Sequence, residues 1–77
     1  MSLPKPWREL DRSTIGAVPD RYGVYELGDQ DGSSLGLETG PLRAELKEEL
    51  SYGDAHRVRW LTAESPRHAE RLLEKHD

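Results

Sequence analysis

Histidines are the first side chains of this sequence to examine for chemistry, because imidazole is a common ligand for zinc. The three histidines, His56, His68 and His76, include no pair four residues apart, the spacing that lets two imidazoles share a metal ion on one helix face. The sequence has no cysteine, which excludes disulfides and thiolate metal sites. These patterns predict surface or helix-end histidines and no zinc site.

The other side chains that could do chemistry form an acidic group and a pair of arginines. Glu45, Glu48 and Glu49 fall on a predicted helix, where they are most simply a solvated face. Arg57 and Arg59 are two positions apart on a predicted strand, so they share one face and form a small basic patch. This patch predicts either salt bridges to the acidic surface or a weak nucleic-acid contact.

Length and charge limit the class of protein. The chain has 77 residues and a formal net charge of −4, so we expect a single domain over residues 1–77. An acidic total argues against tight nucleic-acid binding, which needs basic surface to neutralise phosphates. No apolar run has the length of a membrane span or the features of a signal sequence. We therefore expect a cytoplasmic protein without membrane contact, present as a monomer or weak dimer.

A β-hairpin is the element around which the predicted fold is organised. Residues 22–27 carry large apolar side chains on both faces, which predicts a central strand covered on both sides. Residues 29–32, Asp-Gln-Asp-Gly, have the composition of a tight turn. Residues 33–38 then predict the second strand, with Leu35 and Leu37 on one face.

Two helices are predicted after the hairpin. A helix over 41–51 is indicated by leucines that recur every four residues and form a core stripe: Leu42, Leu46 and Leu50. A helix over 65–76 is indicated by Ser65-Pro66, a cap residue followed by a proline at the first helical position.

A third strand over 57–62 is predicted between these helices, with Trp60 as the main core side chain. Residues 1–18 predict an N-terminal lead-in with a short helical turn capped by Ser13 or Thr14. The expected fold class is α+β, with a three-stranded antiparallel sheet flanked by helices and a core over residues 19–76.

Several short motifs, in this order, resemble those of the GIY-YIG nuclease superfamily. Residues 23–25, Gly-Val-Tyr, are similar to its first motif, and residues 34–36, Ser-Leu-Gly, lie where its second motif, Tyr-Ile-Gly, belongs. Residues 42–46 resemble a segment that usually reads Leu-Arg-x-Arg-Leu, and Glu70 resembles the metal-binding glutamate. The resemblance covers about residues 19–76 and implies a GIY-YIG-like fold in a small stand-alone prokaryotic protein.

The resemblance also implies a set of site residues. In a GIY-YIG nuclease, a tyrosine of the first motif helps to activate water, an arginine steadies the phosphate, and a glutamate holds one divalent metal ion. Tyr25, Arg43 and Glu70 are the corresponding candidates here. Glu70 is then the candidate metal ligand, and Mg²⁺ is the cofactor only if the protein is a nuclease.

The sequence departs from the family pattern at two of its functional positions. The second-motif tyrosine is replaced by Ser34, and the arginine position reads Glu45, or Ala44 if the gap is placed differently. Glu45 would repel a scissile phosphate where the family supplies a cation. The departures therefore predict a domain that has lost catalysis.

Three functions are compatible with these residues. The favoured one is a catalytically inactive GIY-YIG-like domain, a pseudo-enzyme that acts as a binding or interaction module. The second is a divergent metal-dependent nuclease that cleaves DNA or RNA with Tyr25, Arg43 and Glu70. The third is a small structural or regulatory protein that meets a protein partner through an exposed sheet edge.

Overall fold

The computed structural model describes residues 3–76 as an alternation of short strands and helices. The elements are β1 (Arg8–Glu9), α1 (Arg12–Ala17), β2 (Tyr22–Gly28), β3 (Ser34–Pro41), α2 (Leu42–Tyr52), β4 (Arg57–Thr62) and α3 (Pro66–His76). No helix in this range is both long enough and apolar enough to cross a membrane.

The four strands form one antiparallel sheet in the order β1-β4-β2-β3. β2 is an interior strand between β4 and β3, as its apolar residues on both faces predict. In this register Tyr25 lies opposite Glu38 of β3 on one side and opposite Trp60 of β4 on the other. The α+β class and the antiparallel sheet are confirmed, but the predicted number of three strands is wrong.

The fourth strand comes from the N-terminal segment. Arg8 lies opposite Val58 and Glu9 opposite Arg57, and the amide of Leu10 then donates to the carbonyl of His56 at 3.0 Å. A strand of two residues is too short to carry an alternating pattern, so the sequence gives no signal for it. The segment also supplies core side chains, and it is therefore an integral part of the fold.

The main core lies between one face of the sheet and the helices α1 and α2. Its buried side chains come from both helices, their flanking residues and the two interior strands: Leu10, Ile15, Val18, Tyr25, Leu42, Leu46 and Val58. Gly23 allows α2 to approach the sheet, because a Cβ at that position would lie 2.9 Å from Cδ1 of Leu42. Leu42 and Leu46 fill the core as predicted, whereas Leu50 is 38% exposed.

Trp60 is less buried than the sequence predicts. It is half-buried and packs against the main core from the side. β1 extends along β4 only as far as Arg8, opposite Val58, so within residues 3–76 no strand lies beside Trp60 on this outer edge of β4. The guanidinium of Arg8 lies there instead, 5.2 Å from the ring centroid. Val58, which is fully buried, takes the central position that was predicted for Trp60.

The opposite face of the sheet is covered by α3 and by the N-terminal residues. Val24 and Glu26 point to this face, since neighbouring Tyr25 points into the main core. α3 packs against β2 and β3 through the buried Ala69. The ring of Trp7 lies against Gly28, where a Cβ would be 2.8 Å from Cη2 of the indole. Each face of β2 is therefore covered.

Local capping sets where α1 and α3 begin. The carboxylate of Asp11 accepts a hydrogen bond from the amide of Thr14 at 2.8 Å and caps α1. The predicted caps, Ser13 and Thr14, are both inside the helix, so that assignment is wrong. The hydroxyl of Ser65 accepts from the amide of His68 at 3.1 Å, which confirms Ser65 as the residue that caps α3.

Candidate functional site

Two carboxylates converge on the hydroxyl of Tyr25, the family-like tyrosine of β2. The hydroxyl lies 3.0 Å from Oε2 of Glu38 and 3.3 Å from Oε2 of Glu45. The tyrosine itself is 4% exposed. A phenol has one proton to donate, so it hydrogen-bonds one carboxylate at a time. We name these three side chains the tyrosine–carboxylate cluster.

The sheet register and the start of α2 build this cluster. Glu38 is the direct cross-strand partner of Tyr25, which places their side chains on the same face. Glu45 follows in the first turn of α2. Gly40 leaves room for it, because a Cβ there would lie 2.9 Å from Cγ of Glu45. Glu45 is identifiable as a site residue from the sequence, whereas Glu38 is not, because its contact with Tyr25 depends on the strand register.

The cluster keeps Tyr25 in its neutral form. Burial, followed by the hydrogen bond and negative charge of Glu38 and then by the charge of Glu45, raises the pKa of Tyr25 well above its ordinary value of 10.0. A phenol with such a pKa can donate a hydrogen bond but cannot accept a proton from water near neutral pH. The site therefore offers an acidic surface with a phenol donor at its base.

Arg43, the second predicted site residue, points away from this cluster. Its Nε and Nη2 donate to the carbonyl of Val18 at 3.0 and 2.8 Å. Val18 is the residue at which α1 ends, so Arg43 fastens α1 to α2. Two positions along a helix correspond to a rotation of about 200°, which places Arg43 and Glu45 on different sides of α2.

Glu70, the third predicted site residue, is on the other side of the molecule. It is exposed on α3, and α3 covers the sheet face opposite to Tyr25. Residues 3–76 contain no group of three or more histidine, aspartate or glutamate side chains placed to hold a metal ion. The structure therefore does not bring Tyr25, Arg43 and Glu70 to one cleft. Ser34 is also distant along the sheet, since it lies opposite Gly28.

The two arginines of the predicted basic patch are both engaged within the fold. Nε of Arg59 donates to Oε1 of the fully buried Glu26 at 2.7 Å, and its guanidinium lies 3.8 Å from the ring centroid of Trp7. Arg57 donates to the carbonyl of Gln30 at 3.2 Å from Nη2. The side chain of Arg59 thus links the sheet to the N-terminal segment.

A cleft lies on the side of α2 away from the tyrosine–carboxylate cluster. It is an open cleft of about 550 Å³ between α1 and α2. Cations from both helices line it together with apolar side chains, namely Arg12, Ile15, Arg43, Lys47 and Leu50. The expectations from the sequence do not include this cleft. One signal for it is present, because Arg43 and Lys47 are four residues apart and therefore share a side of the helix.

Comparison with known proteins places the chain in a family. The chain belongs to DUF7508, described as a domain of unknown function, whose family model matches residues 1–77. The searches of curated proteins and of solved structures found no match to the chain.

Proposed function

We propose that this protein is a binding module that has a GIY-YIG-like scaffold without nuclease chemistry. The observation that carries the proposal is the tyrosine–carboxylate cluster, in which Glu38 and Glu45 both contact the Tyr25 hydroxyl. The order of hairpin, helix, strand and helix, with β2 inside an antiparallel sheet, supports the scaffold.

The electrostatics of the cluster oppose phosphodiester cleavage. Such cleavage needs positive charge aimed at the phosphate, because negative charge builds up there in the transition state. In this protein the groups beside Tyr25 are two carboxylates, which would repel a phosphate in a partly buried site. The raised pKa of Tyr25 also leaves no phenolate to act as a base.

Arg43, the arginine that the resemblance places in the site, does not compensate for these carboxylates. Nε and Nη2 of Arg43 each donate a hydrogen bond to the carbonyl of Val18. The guanidinium held by these two bonds faces α1. Turning the guanidinium toward Tyr25 would break both hydrogen bonds to the carbonyl of Val18. These contacts support a structural role for Arg43 in place of the catalytic one that the resemblance implies.

A cleavage assay tests the proposal. Wild-type protein is incubated with supercoiled plasmid, single-stranded DNA and RNA, each with Mg²⁺, with Mn²⁺ or with EDTA. We expect no metal-dependent product with any substrate. Cleavage that requires metal and is lost in both Tyr25→Phe and Glu70→Ala would refute the proposal. The matched control is Glu48→Gln, a substitution on the exposed side of α2.

A further inference from the structure

The cleft between α1 and α2 gathers positive charge in a protein that is acidic overall. Arg12 comes from α1, and Arg43 and Lys47 come from α2. Within the described range, residues 3–76, no carboxylate lines the cleft, although the sequence has 15 acidic and 11 basic residues. Its volume of about 550 Å³ lies in the range of small-molecule sites.

None of these three cations forms a salt bridge with another side chain of residues 3–76. Among residues 3–76 the only salt bridge joins Arg59 to Glu26, on the opposite face of the sheet. Arg43 and Lys47, four apart on α2, repel each other, as like charges at this spacing do. A bound anion would relieve this repulsion.

α2 separates its charges between its two flanks. Arg43 and Lys47 lie on the flank that faces α1, whereas Glu45 lies on the flank that faces Tyr25. The acidic side chains of the helix are thereby kept out of the cleft. This arrangement differs from the usual surface helix, in which opposite charges four apart pair along one side.

One cation of the cleft is held in place before any ligand arrives. The two hydrogen bonds from Arg43 to the carbonyl of Val18 fix the guanidinium. Because the guanidinium is planar, fixing two of its donors also fixes the directions of its remaining N–H groups. A donor that is already fixed loses little side-chain entropy on binding a ligand. Arg12 and Lys47 are exposed and can adjust to the ligand.

The cleft also has an apolar part. Ile15, which is 6% exposed, and Leu50, which is 38% exposed, line it beside the cations. Leu50 is the leucine of the predicted core stripe that the fold leaves open to solvent. The hydroxyl of Ser51 adds a neutral donor at the same site.

We propose that this cleft binds a small molecule that carries a phosphate or carboxylate on an apolar body. The anion is held by Arg12, Arg43 and Lys47, and the apolar body covers Ile15 and Leu50. The inference rests on the proposed function as a binding module and names the class of ligand. A cleft of this size accommodates one small molecule, whereas nucleic acid would meet the acidic remainder of the surface.

Nuclear magnetic resonance titration of the ¹⁵N-labelled protein tests this inference. The probes are 2-naphthyl phosphate, 2-naphthoate and the neutral 2-naphthylmethanol. We expect saturable amide shifts for at least one anion, confined to residues of the cleft, and weaker binding of the neutral probe. Lys47→Gln and Arg12→Gln should each weaken anion binding about tenfold, as the loss of one charge-assisted hydrogen bond does.

The matched control is Lys75→Gln, which makes the same charge change on α3, far from the cleft. We expect it to leave anion affinity unchanged. The inference is overturned if neither anion gives saturable shifts at the cleft, or if Lys75→Gln weakens binding as much as Lys47→Gln. It is also overturned if the soluble anions fail while vesicles containing phosphatidic acid bind the protein, because the anion source is then a lipid surface.

The two proposals fail separately. Metal-dependent cleavage in a protein whose cleft binds the naphthyl anions refutes the proposed function and leaves the ligand class standing. An inactive protein with no binding at the cleft refutes the ligand class and leaves the absence of nuclease chemistry standing.

Discussion

At the scale of single residues, the identity of one side chain does not decide its role. The motif resemblance predicts a catalytic role for Tyr25, but its hydroxyl contacts Glu38 and Glu45. These carboxylates stabilise the neutral phenol and oppose a phosphate. The same resemblance predicts a phosphate-binding role for Arg43, yet this side chain donates to a backbone carbonyl. The surroundings of these residues determine what they can do.

Glu26 shows the same dependence on surroundings. It is fully buried, and its Oε1 accepts from the amide of Leu3 at 2.9 Å and from Arg59 at 2.7 Å. Burial alone would raise the pKa of Glu26, but hydrogen bonds and the charge of Arg59 outweigh it and hold the pKa below 4.5.

This lowered pKa predicts how stability depends on pH. Because the folded-state pKa of Glu26 is below the unfolded value of 4.5, its contribution to stability is fully present above that pH. The contribution is lost as pH falls from 4.5 through the folded-state value. Urea unfolding across this window should show a free energy of unfolding that falls with acid, and a smaller slope in Glu26→Gln. An equal slope in the variant would contradict the assignment.

At the scale of elements, α2 contributes most to the main core. Leu42 and Leu46 are both fully buried between the sheet and α1. Leu46→Ala should lower the free energy of unfolding by about 2–5 kcal/mol, since it removes a packed side chain and leaves a cavity. The exposed Leu35→Ala is the control and should change it by less than about 0.5 kcal/mol. Equal effects of the two substitutions in urea unfolding would contradict this core.

The longer elements could be predicted from the sequence because each has a local cause. The turn residues of the hairpin and the spacing of Leu42 and Leu46 placed β2, β3 and α2 nearly where they are found. β1 could not be predicted, because a pairing of two residues leaves no pattern. The partial exposure of Trp60 could not be predicted either, because it depends on where β1 ends.

The candidate site was less predictable than the fold. Tyr25 and Glu45 could be connected through the family resemblance, but the contact of Glu38 follows from strand register. The cleft could be predicted only by knowing that α1 lies beside α2, which is a non-local arrangement. Leu50 illustrates the limit: its spacing matches the core stripe, yet it is 38% exposed and lines the cleft.

At the scale of the whole molecule, α2 separates an acidic site on one of its sides from a basic site on the other. One side of the helix presents the carboxylate of Glu45 to Tyr25, and the other side presents Arg43 and Lys47 to the cleft. The net charge of −4 therefore conceals a basic site. A protein with this division can bind an anion in the cleft and disfavour one beside Tyr25, which agrees with a binding module without nuclease chemistry.

The pKa of Tyr25 is the quantity that tests this account most directly. It can be measured by nuclear magnetic resonance with ¹³Cζ-labelled tyrosine, and Tyr25→Phe identifies the signal among the three tyrosines. We expect the pKa of Tyr25 to exceed 10.0 and to fall in Glu45→Gln but not in the control Glu48→Gln. A Tyr25 that titrates at or below 10.0, and does not respond to Glu45→Gln, would contradict the account.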